Sequence, residues 1–140
     1  MSLRIEETRD IATCRSLRRV VFIDEQGVSE ADEVDDLDDQ AIHLLALQDG
    51  VAVGSARLLV QGDIGKIGRV CVLRAGRGQG IGAALIRAAV QRFRETEGIA
   101  KAKLGAQVHA IGFYEALGFH AVGPVYDDAG IDHRDMVLAL

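Results

Sequence analysis

Residues 70–85 read V-C-V-L-R-A-G-R-G-Q-G-I-G-A-A-L, and their types suit one chemistry, the holding of an anion against backbone. The stretch opens as an apolar, β-branched run, turns through glycine and arginine, and continues with Ile81, Leu85, Ala89, Val90 and Phe93 spaced along one helical face. A helix that starts at such a bend has N–H groups without intrahelical acceptors, and its dipole puts partial positive charge at that end. Glycines at 78, 80 and 82 allow a tight curl and a close-approaching phosphate, and Arg74 and Arg77 add forked cationic donors. The pattern points to a diphosphate cradle.

Three cradles fit this outline. A Walker A loop ends in Gly-Lys-Ser/Thr to reach a terminal phosphate and magnesium, and that ending does not occur in the chain. A dinucleotide fingerprint, G-x-G-x-x-G/A, is matched by residues 78–83, and it predicts a small nicotinamide-dependent oxidoreductase. The next strand-like run, residues 103–107, ends in Gln107 instead of the acid that would hold the ribose, and the fingerprint sits mid-chain.

The third cradle is the best match. Arg77-Gly78-Gln79-Gly80-Ile81-Gly82 closely resembles the R/Q-x-x-G-x-G/A signature of the GCN5-related N-acetyltransferases (GNAT), whose loop holds the pyrophosphate of coenzyme A. A second stretch, Phe113-Tyr114-Glu115-Ala116-Leu117-Gly118-Phe119, resembles the F-Y-E-x-x-G-F helix of the same family. V-F-x-x-E-Q-G-V, A-I-H at 41–43, I-G-R-V at 67–70, A-Q-x-H-A at 106–110 and G-I-x-H near the end are similar to the ElaA-like subgroup across nearly the whole chain. Two positions depart from pattern: Gln107 stands where the wider family commonly has asparagine, and Asp132 where the subgroup usually has proline.

The resemblance implies an acetyl-CoA-dependent N-acetyltransferase acting on a primary amine of a small molecule or peptide, with a non-catalytic acyl-CoA-binding module as the alternative. It implies a cofactor site of Val70, Val72, Arg77, Gly78, Gln79, Gly80, Gly82, Ala83, Gln107, Phe113 and Tyr114. Pantetheine would pair with the backbone of Val70 and Val72, the Val72 N–H would stabilise the oxyanion, and Tyr114 would return a proton to the departing thiolate. An alkylamine with a pKa of about 10.4 is neutral in only a few molecules per ten thousand at pH 7, so something must also take its proton. Glu25, His43, His109 and His133 are the candidate bases, and spacing alone does not choose among them.

The elements that position these residues follow from periodicity. A strand over 3–7 precedes a helix capped by Thr8 or Asp10, and strands over 41–47 and 51–60 are joined by Asp49-Gly50, a hairpin signal. A third strand over 64–73 completes an antiparallel meander. The expectations then run helix 79–97 stopped by Gly98, strand 103–107, helix 110–117, strand 119–122, loop 124–132 and a last strand over 134–140. The fold class is α/β with a mixed sheet, a meander followed by a βαβ unit, and the resemblance implies the GNAT fold with a splayed central sheet.

At 140 residues and 15.0 kDa, with 49% hydrophobic residues, one domain over residues 1–140 is expected. No run is long and apolar enough for a membrane span and no signal peptide is apparent, so a cytoplasmic protein is expected. A net charge of −5 disfavours nucleic acid as a partner. A homodimer is common in the family that the chain resembles. Cys14 and Cys71 have no metal-ligand spacing and read as buried thiols. Residues 24–39 hold nine acidic residues and no basic one. They read either as a solvated surface segment or as a field that draws a cationic acceptor, without the register of a calcium loop, and no metal is expected.

Overall fold

The computed structural model of the chain describes residues 2–140. Strand β1 (Leu3–Thr8) leads to helix α1 (Ile11–Arg18), which Asp10 caps by accepting from the Thr13 N–H at 3.1 Å. The helix widens into a π-helical turn, Arg19–Glu25, a form that often marks functional sites. A short helix α2 (Glu30–Glu33) follows. Strands β2 (Ile42–Gln48), β3 (Val51–Gln61) and β4 (Ile64–Val72) then form the meander. Asp49 and Gly50 both have positive φ, 51° and 83°, the geometry that the Asp-Gly pair predicts for a two-residue hairpin.

Helix α3 (Ile81–Arg94) crosses to β5 (Lys101–Gln107), and α4 (Ile111–Glu115), β6 (His120–Asp128) and β7 (Ile131–Ala139) complete the chain. The seven strands lie in the order β1-β2-β3-β4-β5-β7-β6, all antiparallel neighbours except β4 and β5. The expected α/β mixed sheet is therefore present. β3 is buried on both faces along residues 53–58 because helices cover it from each side. On one face α3 places Ile81, Leu85, Ile86, Ala89, Val90 and Phe93 in the main core. On the other, Cys14, Leu17 and Val21 pack with Leu45 and Cys71. Burial of each large apolar chain stabilises by about 1.5–3 kcal/mol, so this two-sided layering is what holds β3 and β4 in place.

Three expectations need correction. The helix after the glycine loop ends at Arg94, three residues before the expected Glu97, and the Thr96 hydroxyl donates back to the Arg92 carbonyl at 2.9 Å. The expected helix 110–117 begins as a tight 3-10 turn, Val108–Ala110, and is helical only to Glu115. The expected loop 124–132 is mostly strand, because Pro124 sits in the edge strand β6 where the register to β7 shifts and no ladder N–H is needed. The β6–β7 turn is carried by Ala129 and Gly130, both with positive φ.

The feature that creates a site is the parting of β4 from β5. The two pair only from Ile64 with Lys101 to Ile67 with Leu104. Beyond that point β4 stays on β3 and β5 stays on β7, so the sheet opens into a V. The divergence begins at a bulge: Arg57 pairs Gly68 and Ser55 pairs Cys71, which sets Arg69 and Val70 against the single residue Ala56. Arg69 takes φ 51°, a left-handed conformation uncommon for a residue with a side chain. The extra residue bends β4 away from β5.

Candidate active site

The β4 side of the V is an unpaired strand edge. The Leu73 N–H donates to the Val53 carbonyl at 2.8 Å, and antiparallel strands alternate the side to which their polar groups point. The N–H and C=O of Val72 therefore face the opening. The Val72 carbonyl confirms the direction, since it accepts from Arg77 Nε at 3.0 Å and not from β3.

The glycine loop closes the top of that edge. Gly78 and Gly80 have φ of 76° and 79°, where a side chain would be strained, and Gly80 caps α3. The first intrahelical bond runs from the Ala84 N–H to the Gly80 carbonyl, leaving the N–H groups of Ile81, Gly82 and Ala83 without intrahelical acceptors. No acidic residue occupies this first turn. A Cβ on Gly82 would stand 3.5 Å from Phe113 Cζ and 4.0 Å from Val72 Cγ2, so loop, strand edge and α4 meet at one point. Gln79 folds back, donating to the Ala75 carbonyl at 3.2 Å and accepting from Gln48 at 2.5 Å. Such a mouth can hold a pyrophosphate with the chain it carries lying along β4.

The charges expected around this loop are already partnered. Glu25, at the end of the π-helical turn, accepts from Arg77 Nη2 at 2.5 Å and from Arg74 Nη2 at 3.2 Å. The Arg77 hydrogen bond, with the charge of both arginines, holds the Glu25 carboxyl below its usual range. Glu25 thus ties the segment after α1 to the loop, and a carboxylate held this low has little tendency to take a proton.

Below the mouth, a cavity of about 490 Å³ follows the V. Phe22 lines it from the π-helical turn and Gln26 from just after it, residues 66–70 from β4, Gly105 and Gln107 from β5, His133 and Asp135 from β7, and Tyr114 and Tyr126 from α4 and β6. Gln107 donates to Gln26 Oε1 at 3.0 Å and its own Oε1 lies 2.8 Å from His109 Nε2. Tyr114 packs against the main core and against Phe113 and Phe119 edge to face. Burial raises its phenol above the ordinary tyrosine value, so it stays protonated. Among the described residues its hydroxyl makes no hydrogen bond.

His43 lies elsewhere. It is buried on β2, with Nε2 2.9 Å from the Asp38 carbonyl and Nδ1 enclosed without a partner, and it does not line the cavity. His109 is exposed and engaged with Gln107.

The acidic segment is solvated only in part, with Asp24, Asp32, Asp36 and Asp39 exposed and the rest drawn into ion pairs. Five of its nine carboxylates pair with arginines: Glu25 with Arg74 and Arg77, Glu30 with Arg19, Glu33 with Arg18, Asp35 with Arg57, and Asp38 with Arg15, Arg18 and Arg57. Arg18, Arg57, Glu33 and Asp38 are buried, and Arg57, Glu33 and Arg69 form one wall of the cavity. Both cysteines are buried, and burial raises their thiols, Cys14 to about 11.

Sequence reasoning named the loop and Tyr114 but missed Gln26, Asp135 and the bulge at Arg69. Gln26 stood in a recognised motif without a role. The other two depend on cross-strand pairing, which leaves no local signal.

A mixed sheet parted beside a glycine-turned helix start, with a tyrosine bordering the opening, defines an acyltransferase of the coenzyme A-dependent class. Residues 20–140 match the family model described as an acetyltransferase (GNAT) domain, and the chain belongs to that family as an acetyltransferase. It is 35% identical to the protein ElaA of Escherichia coli over 124 residues, covering 86% of this chain and 81% of that protein. The crystal structure of E. coli ElaA superposes with a TM-score of 0.86, at 26% identity over 98% of this chain and 99% of that one. An acyl-CoA N-acyltransferase structure from Pseudomonas aeruginosa superposes with a TM-score of 0.85, at 32% identity and 99% coverage of both chains.

Proposed function

We propose that the protein moves the acetyl group of acetyl-CoA directly to a primary amine of a small molecule or peptide, with the reaction centred in the V between the Val72 edge and the cavity that Tyr114 borders. The observation that carries this reading is the outward-facing N–H of Val72, one strand step from the glycine loop and next along β4 from the cavity-lining residues 66–70, with Tyr114 on the same cavity. In this reading the N–H groups of Gly82 and Ala83, with the turn shaped by Gly78, Gln79 and Gly80, hold the pyrophosphate. Arg77 stays beside it, and the edges of Val70 and Val72 take the pantetheine amides, with Gln107 and Phe113 on the opposite wall. The Val72 N–H stabilises charge on the thioester oxygen, and Tyr114 gives its proton to the departing sulfur.

Coenzyme A supplies an activated acyl thioester, and the protein's part is alignment and proton transfer. The acceptor arrives as an ammonium ion. Arginines neutralise five of the nine acids of residues 24–39, so attraction of a cationic acceptor rests on the cavity-lining carboxylates Asp32, Asp128 and Asp135. Glu25 and His43, given their partners, serve here as structural residues. Two free, buried cysteines suit a reducing cytoplasmic setting. β6 is an edge strand with no buried residue, and pairing of two copies there would form a homodimer.

A thiol-release assay with acetyl-CoA across a panel of primary amines tests the reading. Release that depends on the amine supports transfer. Tight calorimetric binding of coenzyme A with no release for any amine would favour a non-catalytic acyl-CoA-binding module instead.

A further inference from the structure

We infer that His133 is the general base of the acetyl transfer, with its Nε2 lone pair presented to the acceptor amine. The assignment rests on the acetyl-transfer reading above and supplies the group that takes the amine's proton.

Position comes first. His133 pairs with Gln107 across β5 and β7 and with Tyr126 across β6 and β7. Directly opposed residues project on the same face, so His133 shares the cavity face with Gln107 and Tyr126. Among the described residues it is the sole histidine lining that cavity, which Tyr114 also borders.

The ring is set up for one tautomer. Nδ1 lies 2.7 Å from the Ile131 carbonyl. A carbonyl oxygen only accepts, so Nδ1 carries the hydrogen of the neutral ring and Nε2 keeps the lone pair. Nε2 has no hydrogen-bond partner among the described residues. The Tyr126 ring stacks on the imidazole, with centroids 6.0 Å apart and planes 25° apart, which holds its orientation. Tyr126 is itself fixed by donating to Asp135 Oδ1 at 2.8 Å.

The other proton acceptors are spoken for. Glu25 serves two arginines, His43 is enclosed away from the cavity, and His109 Nε2 is bonded to Gln107. Glu33 is paired with Arg18, and Asp135 holds Tyr126 and Lys103. The remaining acids, Asp32 and Asp128, are exposed carboxylates, intrinsically far weaker bases toward an ammonium ion than an imidazole.

The protons balance. The ammonium form of the acceptor gives one proton to Nε2, and the freed amine forms the N–C bond as the C–S bond breaks. Tyr114 gives its proton to the leaving sulfur, and the second proton lost by the nitrogen returns through solvent to the phenolate. The imidazolium releases its proton to water, so each transfer yields the N-acetyl amine, coenzyme A thiol and one net proton.

The test compares the wild type with His133→Ala and His133→Gln, using acetyl-CoA with tyramine, spermidine and a peptide with a free N-terminus. Tyr126, Asp128, Lys103, Asp135, Arg69 and Glu33 share the cavity, so the pH profile is read as the difference between wild type and variant. The expected result is a fall in kcat of roughly 10²–10⁴-fold with coenzyme A affinity unchanged by calorimetry. The variants also lose the limb on which wild-type kcat/KM rises with pH, and added imidazole restores part of the rate in His133→Ala. Nitrogen-15 spectra of the wild-type ring, read without any acceptor, should place the neutral proton on Nδ1. Variant activity within threefold of wild type with an unaltered profile overturns the assignment, as does a neutral proton on Nε2, and both leave acetyl transfer standing. Absence of turnover by the wild type on every amine overturns the transfer reading itself, and the base with it.

Discussion

Arg18 and Asp38 form a two-point ion pair inside the protein, Nη1 to Oδ1 at 2.9 Å and Nη2 to Oδ2 at 2.6 Å, with both side chains buried. Burial alone would raise the Asp38 carboxyl. Hydrogen bonds from Arg18 and Arg15, with Arg18's charge and Arg57, outweigh it and hold the group well below the carboxylate range. Removing one partner of a buried pair leaves the others uncompensated, at a cost of about 3–5 kcal/mol. Asp38→Asn should lower the urea midpoint accordingly. Because the folded-state value is depressed, the contribution is fully present above the unfolded value of about 3.9 and fades as pH falls through the folded one. The gap between wild type and variant should therefore narrow below about pH 4, and urea titrations at several pH values check this.

Gly65 is closed to any side chain, since a Cβ there would lie 2.5 Å from Cγ of Phe93, whose side chain is fully buried. The ring belongs to the core between α3 and β4 and has no room to retreat. Gly65→Ala should cost about 1–3 kcal/mol. A urea titration should show a lower midpoint with an unchanged slope, the sign of lost stability without a change in compactness.

Gly105 lines the cavity under a similar constraint. A Cβ there would come within 2.5 Å of the Tyr126 hydroxyl, which donates to Asp135. Gly105→Ala should push Tyr126 aside, break that bond and loosen the stack on His133. The expected outcome is a raised KM for the amine with little change in KM for acetyl-CoA. Steady-state kinetics with each substrate varied in turn separates the two.

The legible parts of this protein were those encoded by neighbours in the chain. The Asp49-Gly50 hairpin, the apolar face from Ile81 to Phe93 and the glycine spacing at 78, 80 and 82 are local signals, and each lies where periodicity puts it. Pro124 misled the reading of residues 124–132 because proline is excluded from paired strands but tolerated at an edge with a register shift. The pairing of five of the nine acids of residues 24–39 was hidden differently, since Arg15 and Arg18 come from α1 and Arg57, Arg69, Arg74 and Arg77 from β3, β4 and the loop after it. The meeting of Gln26 with Gln107, 81 positions apart, is likewise invisible until the sheet is assembled.

Tyr114 is where the account of the chemistry is most exposed to test. Its phenol is raised by burial and packed edge to face on Phe119, and it borders the cavity where the proposed transfer makes it the proton donor. The deciding measurement is the rate of N-acetyl amine formation at saturating acetyl-CoA, wild type beside Tyr114→Phe. Amine-dependent product is expected from the wild type, and a rate lower by roughly 10²-fold or more in the variant. No product from the wild type with any primary amine, or equal rates in the two proteins, would contradict it.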